Sequence, residues 1–142
     1  MSVIVHADSF DVPLQTGPDI ADITAAVGRI VGASGVRTGS VHLSAVGSTG
    51  SLTTIEYESG AVEDLKRAIR RLAPPEIVYA HEMTWHDGNG HSHVQAALMG
   101  PSLVVAVRDG RLRLGTWQQV VLINHDNRAR RRAVEVTVIG NG

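Results

Sequence analysis

The sequence predicts an α+β fold built on a mainly antiparallel β-sheet or sandwich with two or three helices. Strand-like segments occur in runs, in the order β-α-ββ-α-β-α followed by a final run of strands, rather than in strict alternation with helices. Two segments show the periodicity of amphipathic helices. The dipeptide Asp109-Gly110, which lies between two apolar runs, is a strong hairpin signal. Because 142 residues are the usual size of one domain, we expect a single domain over residues 1–142.

The first part of the chain is predicted to form a strand, a helix and two further strands. Residues 3–7 alternate between two faces, as in a partly buried strand. Asp22 is a favourable N-cap for a helix over residues 23–34. Residues 36–46 and 52–57 have strand character. The apolar stripe that predicts the helix consists of Ile23, Ala26, Val27, Ile30 and Val31.

The middle of the chain is predicted to be helical with one short strand. Residues 61–72 fit a helix whose apolar side is formed by Val62, Leu65, Ile69 and Leu72. Pro74-Pro75 ends this helix. A short strand over residues 77–81 and a short helix over residues 94–99 are expected to follow.

The last third of the chain is predicted to be entirely β. Two strands flank the hairpin at Asp109-Gly110, and two more flank a turn around Asp126-Asn127. The four predicted strands cover residues 102–107, 112–114, 117–123 and 133–139.

The composition excludes several classes of function. With a formal net charge of -1 and a pI of about 6.6, the chain is not expected to bind nucleic acid or an anionic membrane. The absence of cysteine excludes disulfides, thiolate metal sites and a cysteine nucleophile. There is no apolar run of the roughly 20 residues that a membrane span needs, and residues 1–6 do not resemble a signal peptide. We therefore expect the protein to be cytoplasmic.

Histidine clusters in one segment. Four of the seven histidines, His81, His86, His91 and His93, lie within 13 residues of one another. Neutral imidazole is the commonest protein ligand of zinc, and Gly88-Asn89-Gly90 would let the backbone turn closely around an ion. The segment therefore predicts a metal or anion site, although a solvated loop rich in histidine is an alternative.

The conformation of residues 91–93 decides whether His91 and His93 can bind one ion. Inside a helix their side chains would point about 200° apart, whereas on an extended segment they would share a face. They can share an ion only if the segment is extended or if any helix begins at or after His93.

Two further segments have the chemistry of an anion site. The turn Gly47-Ser48-Thr49-Gly50-Ser51 combines small hydroxyl residues with glycines and could present backbone N–H groups to a phosphate. It does not match a Walker A loop, and a simple tight turn explains it equally well. Four arginines in the segment 128–132 could bind phosphate, or could lie in a solvated turn or at a subunit interface.

Single acidic and amide side chains complete the candidates. Glu56 lies on the same strand face as Glu58 and could be a general base or a metal ligand, and Asp64 on the second helix is another candidate. Each of these carboxylates could equally be solvated. Gln118 could donate a hydrogen bond to a ligand, whereas Trp117 is better explained as a core or interface anchor.

Taken in order, these segments resemble the YjbQ/UPF0047 family, also called the secondary thiamine-phosphate synthase family, in its archaeal-type branch. The resemblance extends over about residues 14–140. It rests on Asp22-Ile23-Thr24, Gly47-Ser48-Thr49, residues 54–60, Asp64-Leu65, Tyr79-Ala80-His81, residues 88–93, Gly100-Pro101-Ser102, residues 110–118, and Asp126 with the arginine-rich tail.

The resemblance implies a β-rich α+β subunit that assembles as a homotrimer. It implies a polar site that holds a divalent metal ion such as zinc, with His81, His91 and His93 as ligands. Ser48, Thr49 and Asn89 would then line the pocket, with Gln118 as a further ligand-binding residue and Glu56 and Asp64 as catalytic residues.

Two functions follow from this resemblance. The first is a metal-dependent enzyme that acts on a phosphorylated small molecule, similar to thiamine-phosphate synthase. The second is a trimeric protein of the same fold that binds a ligand or metal without catalysis. The second is favoured by a departure at Gly47, where many members of the family have histidine. The segment Asn124-His125-Asp126 also replaces the usual Glu-Phe-Asp.

Overall fold

A computed structural model describes residues 2–142 and confirms the predicted α+β class. The strands are β1 (Val3–Leu14), β2 (Asp19–Asp22), β3 (Thr38–Ala45), β4 (Gly50–Ile55), β5 (Ser102–Arg108), β6 (Arg111–Leu112), β7 (Gln119–Asn124) and β8 (Arg130–Asn141). The helices are α1 (Thr24–Ala33), α2 (Ser59–Leu72), α3 (Glu82–Trp85) and α4 (Gly90–Met99). None of the helices in residues 2–142 is long and apolar enough to cross a membrane.

The strands form two antiparallel sheets. The larger sheet has the order β1-β8-β3-β5-β6, and the smaller has the order β2-β7-β4. The predicted hairpin joins β5 to β6, where Asp109 and Gly110 have φ values of 53° and 73°. Positive φ at both central residues matches the right-handed twist of the flanking strands.

Two apolar layers hold the elements together. Between the sheets, the inner faces of β3, β5 and β8 pack with β7 and with α1. The predicted stripe of α1 lies in this layer, and Ile23, Val27, Ile30 and Val31 are buried there as expected. The opposite face of the smaller sheet is covered by α2, whose Ile69 packs against β2 and β7. The smaller sheet is therefore buried on both faces, which explains the continuous apolar run of β7.

The starts of the first two helices differ slightly from the prediction. Helix α1 begins at Thr24 with Ile23 at the N-cap, and Asp22 is the last residue of β2. Asp22 Oδ1 nevertheless accepts a hydrogen bond from the Thr24 N–H at 2.9 Å. Helix α2 begins at Ser59, where the Glu58 carboxylate accepts from the N–H groups of Gly60 and Ala61. Those two hydrogen bonds lower the pKa of Glu58.

The two strands that flank the predicted turn at Asp126-Asn127 lie in different sheets and do not pair with each other. Strand β7 pairs with β2 and β4, whereas β8 pairs with β1 and β3. The connection therefore crosses from one sheet to the other. Its polar residues are fixed by tertiary contacts, which a sequence pattern does not reveal.

The predicted strand over residues 77–81 is also absent. Val78 is 91% exposed, and the backbone turns through this segment into α3. The Tyr79 hydroxyl donates a hydrogen bond of 2.7 Å to the carbonyl of Pro74, which keeps the segment folded back on itself. Helix α4 begins at Gly90 rather than at residue 94, because the Asn89 carbonyl accepts from the N–H groups of Ser92 and His93.

Candidate functional site

A polar cleft of about 430 Å³ opens where three segments of the fold meet. These segments are the turn between β3 and β4, the connection from β7 to β8, and the start of α4. The cleft is lined by Gly47, Ser48, Thr49, Asp87, Asn89, His93, Asp126, Arg130, Arg131 and Arg132. It therefore brings together the small-residue turn, part of the histidine segment and the arginine segment, which are far apart in the sequence.

A buried carboxylate organises the floor of this cleft. Asp126 is only 2% exposed, and its Oδ2 accepts hydrogen bonds from Thr49 Oγ1 at 3.0 Å and Asn89 Nδ2 at 3.2 Å. Arg130 Nε lies 3.1 Å from the same oxygen, and the N–H of Arg128 donates to Oδ1 at 3.0 Å. Burial acts to raise the pKa of Asp126, but these hydrogen bonds outweigh it and hold the pKa below its ordinary value. Asp126 is therefore an anion that fixes the surrounding donors.

A buried arginine links this floor to the turn after β3. Arg132 Nε and Nη2 donate to Asn124 Oδ1 at 3.2 and 2.7 Å, and Nη2 also donates to the Thr49 hydroxyl. Within residues 2–142, Nη1 of Arg132 makes no hydrogen bond to the protein. A Cβ atom added at Gly47 would lie 2.8 Å from that Nη1 atom. Glycine at position 47 therefore leaves room for a guanidinium edge at the wall of the cleft.

The Gly47→Ala variant tests this arrangement. Gly47 has a φ of 128°, which L side chains rarely adopt, and the added methyl group would displace Arg132. We expect the free energy of unfolding to fall by about 1–3 kcal/mol, measured by urea denaturation. The control is Gly28→Ala in α1, where an added Cβ meets nothing within 4 Å and should be neutral or slightly stabilising. Equal stability of the two variants would contradict the packing described for Arg132.

The histidines divide into two groups. The rings of His81 and His93 lie 4.5 Å apart between centroids, and His81 Nε2 lies 3.4 Å from Asp87 Oδ1. His91 lies on another side of α4, where it is buried. The centroid of its ring is 6.3 Å from that of the Tyr79 ring. Burial lowers the pKa of His91. Because α4 begins at Gly90, His91 and His93 diverge, and His86 is exposed.

These positions limit the fit of a metal ion. Among residues 2–142, no group of three or more His, Asp or Glu side chains is arranged so that it could hold an ion. The predicted set of His81, His91 and His93 around one ion does not form within the described chain. Only His81 and His93 come together, and the buried Nε2 of His81 lies near Asp87 Oδ1 without forming a hydrogen bond of good geometry. The pair is an incomplete ligand set, so no chemical step is assigned to a metal ion.

A second buried network lies behind the cleft. Gln95 Nε2 donates to the Ala73 carbonyl at 3.0 Å, so that Gln95 Oε1 faces His125 Nδ1 at 3.0 Å. His125 Nδ1 therefore carries the proton, and Nε2 accepts from the Ser51 hydroxyl at 2.7 Å. Burial, followed by the charge of Arg132, lowers the pKa of His125 to about 4. The neutral imidazole thus connects β4, β7 and α4 directly beside Asp126.

The other predicted site residues lie away from the cleft. Glu56 lines a separate pocket of about 370 Å³ with Trp117 and Tyr57. Asp64 is exposed on α2, where its carboxylate is 3.6 Å from Arg67. Gln118 Oε1 accepts from the N–H of Gly115, and Nε2 donates to Thr54. Within one chain, these residues do not meet Ser48, Thr49 or Asn89. Trp117, which was expected to be an anchor, is exposed in the single chain.

Several residues of the cleft were not predicted as site residues. They are Asp126 and Asp87 in the cleft, Asn124, which accepts from the guanidinium of Arg132, and His125 with Gln95 behind the cleft. One sequence signal was available, because the polar run Asn124-His125-Asp126 follows directly on the apolar run 120–123. Polar residues at the end of a buried strand must be hydrogen-bonded or functional, and here all three are buried in the two networks.

The fold and the cleft define a two-sheet α+β protein with an arginine-rich polar site. Comparison of the sequence with known families agrees with this class, since the profile of the family described as UPF0047 protein YjbQ-like matches residues 8–141. The chain belongs to the UPF0047/YjbQ-like family.

Relatives and solved structures cover almost the whole chain. A UPF0047 protein of Methanothermobacter thermautotrophicus is 32% identical over 140 residues, covering 97% of this chain and 96% of the relative. A UPF0047 protein of Archaeoglobus fulgidus is 35% identical over 116 residues, covering 82% of this chain and 88% of the relative. A crystal structure from Sulfolobus solfataricus, described as a YbjQ-like protein of unknown function, matches with a TM-score of 0.93 at 30% identity. The match covers 99% of this chain and 100% of the solved chain. The resemblance to the archaeal-type branch is thus confirmed, as is the fold.

Proposed function

We propose that the cleft binds the phosphate group of a phosphorylated small molecule. The observation that carries this proposal is that three successive arginines, Arg130, Arg131 and Arg132, all line one polar cleft. Two carboxylates, Asp87 and Asp126, also line it, and Asp126 is already paired with Arg130. Arg131 Nε also lies 3.4 Å from Asp11 Oδ2, so the donor left for a ligand is the Nη1 edge of Arg132 at the wall beside Gly47. Guanidinium groups bind phosphate oxygens through paired, directional hydrogen bonds.

We further propose that the protein is an enzyme similar to secondary thiamine-phosphate synthase. That reaction joins a hydroxymethylpyrimidine diphosphate to a thiazole phosphate and releases pyrophosphate, so both substrates carry phosphate. Preorganised donors in the cleft would stabilise the charge that develops on the leaving pyrophosphate. Among the cleft residues, His93 carries the imidazole that we propose as the proton-transfer group.

A divalent metal ion such as zinc stays a prediction of the family resemblance. His81 and His93 would be its protein ligands, and further ligands would have to come from outside the described set. Elemental analysis of freshly purified protein tests this point. Metal that is retained by wild-type protein and lost in His81→Ala supports the prediction, whereas wild-type protein free of metal contradicts it.

A homotrimer, which the resemblance implies, is supported by one face of the larger sheet. In the single chain this outer face carries exposed small and apolar side chains on β1, β5 and β8, among them Val3, Val5, Ala7, Val104, Ala106 and Ile139. An uncovered apolar sheet face of this kind is typical of a subunit interface. In such an assembly a second copy could also bring Glu56 or Asp64 closer to the cleft.

Phosphate binding is tested with the Arg130→Gln variant. We expect the dissociation constants of inorganic phosphate and pyrophosphate to rise about tenfold, because one charge-assisted interaction is lost. Isothermal titration calorimetry measures this change. The matched control is Arg70→Gln, because Arg70 is exposed on α2 and does not line the cleft. Wild-type protein that binds neither anion, or equal losses in both variants, would contradict the proposal.

Catalysis is tested by synthesis of thiamine phosphate from the two phosphorylated precursors, and by complementation of a thiamine auxotroph. Turnover by the wild-type protein that falls in His93→Ala supports the enzyme. The alternative is a trimeric protein that binds its ligand without catalysis. This alternative is favoured because the Arg132 guanidinium beside Gly47 leaves no room for the histidine that many members of the family have at this position. Tight phosphate binding without turnover would support this alternative.

A further inference from the structure

Strand β1 lies at one end of the larger sheet and has a free edge. It runs over Val3–Leu14 and pairs with β8 on one side, and within residues 2–142 no strand pairs with it on the other. With 12 residues it is about twice as long as an ordinary strand. A long row of unpaired backbone N–H and C=O groups is a template for pairing with another strand.

The odd-numbered residues of β1 present their backbone groups to this free edge. The N–H of Ser9 donates to the neighbouring Asp8 carboxylate at 2.8 Å, so it does not take part in the ladder with β8. Because residues of an antiparallel strand alternate in the direction of their hydrogen bonds, Val3, Val5 and Ala7 point to the same edge as Ser9.

The register of the sheet gives the same assignment. The N–H of Val46, just after β3, donates to the carbonyl of Ala133 on β8. The odd-numbered residues of β8 therefore bond to β3, and its even-numbered residues bond to β1. In the register of β1 and β8, even-numbered residues lie opposite even-numbered residues. The odd-numbered residues of β1 are thus left without a backbone partner.

One end of the free edge is protected against strand pairing, and the other is not. Toward the end of β1, the Asp8 carboxylate occupies the N–H of Ser9, and Pro13 has no N–H to donate. Charged side chains and prolines of this kind block the addition of a strand. Residues 3–7 contain no acidic residue, lysine, arginine or proline, and Val5 is 66% exposed. This segment is the part of the edge that can receive another strand.

The strand that fits residues 3–7 is the same segment of a second copy. At the opposite edge of the larger sheet, β6 is only two residues long, so copies cannot join head to tail through this sheet. A twofold axis at Val5 would place Val5 opposite Val5 and Val3 opposite Ala7 in antiparallel strands. Each of these pairs then exchanges both of its N–H···O bonds, and no charged side chains meet.

We infer that two copies of the chain pair through β1 at residues 3–7, so that their larger sheets join into one continuous antiparallel sheet. The pairing satisfies the free backbone groups and brings the valine side chains of the two strands into contact across the new ladder. It uses the edge of the sheet, whereas the proposed trimer uses its outer face, so the two contacts are independent of each other.

The mass of the assembly in solution tests this inference, and light scattering after size-exclusion chromatography measures it. The wild-type protein should contain an even number of the 15.1 kDa chains, which is two if only the edges pair and six if trimers also form. Ala7→Pro removes one edge N–H and leaves the ladder to β8 intact, so the mass should fall by half. Ala7→Val is the matched control, because it keeps the N–H and should keep the wild-type mass.

Hydrogen exchange of the backbone amides gives a second readout. In the wild type, the amide of Val5 should be protected like those of Ile4 and His6. In Ala7→Pro, the amide of Val5 should exchange at least about tenfold faster, because its partner strand is lost. The amides of Ile4 and His6 should stay protected by β8, which shows that β1 itself remains folded in the sheet.

A second variant decides the result if Ala7→Pro does not fold. Val5→Lys places two positive charges directly opposite each other at the twofold axis, so it should leave an odd number of chains. Wild-type protein with an odd number of chains, such as a monomer or a trimer, overturns the inference. An even number of chains that survives in the folded variants also overturns it, because the copies then pair through another surface.

Discussion

Replacing Asp126 by alanine should lower the free energy of unfolding by about 3–5 kcal/mol, one of the two largest effects that we expect. The variant leaves the donors on Thr49 and Asn89 without their acceptor and removes the negative charge beside Arg132. A buried positive charge without a nearby anion is strongly destabilising, as are buried donors without partners. Urea denaturation followed by circular dichroism measures the change.

Two further variants make this result specific. Asp126→Asn keeps the shape and one acceptor oxygen, so we expect it to lose less stability than Asp126→Ala. Asp64→Ala removes a solvated carboxylate that is 73% exposed, so we expect a loss below about 1 kcal/mol. If Asp126→Ala were as stable as Asp64→Ala, the network on the floor of the cleft would not hold β7, β8 and α4 together.

Local signals predicted much of the fold. The apolar stripe of α1 and the Asp109-Gly110 turn depend on residues close in sequence, and both are confirmed. The strand expected over residues 77–81 does not form, because Val78 has the propensity of a strand but no neighbouring strand to pair with. The connection from β7 to β8, which crosses between the two sheets, could not be predicted for a related reason. The pairing partners of a strand depend on the whole fold.

The candidate site was predictable only in part. Ser48, Thr49, Asn89 and His93 line one cleft, as residues expected to share a site should. His91 was expected to join them, but α4 begins early enough to turn its side chain away. The polar run 124–126 marks Asp126 as a residue that must be hydrogen-bonded or functional, but its partner Thr49 lies 77 positions away and is not revealed by that local pattern.

His125 should make the protein lose stability as the pH falls from about 6.5 to about 4. The unfolded state binds a proton near pH 6.5, whereas the folded state resists protonation down to about pH 4, because the imidazole is buried beside Arg132. Stability from this residue is therefore fully present above pH 6.5 and declines as the pH falls toward 4. A difference of this size corresponds to about 3 kcal/mol. Asp126, whose pKa is held below its ordinary value, adds a separate loss only in stronger acid.

The variant His125→Gln isolates this effect from that of other groups, including His91. We expect it to be less stable than the wild type at pH 7, because the hydrogen bonds to Ser51 and Gln95 are disturbed. The difference should shrink or vanish at pH 4, because glutamine does not titrate. His86→Asn is the control, since His86 is exposed and asparagine tolerates its φ of 52°. Urea denaturation at pH 7, 6, 5 and 4 measures all three proteins. The free energy of unfolding of the wild type should fall more steeply with decreasing pH than that of His125→Gln, because only the wild type has a titrating imidazole at this position. A difference in this free energy that stays the same at every pH would show that His125 is not held neutral.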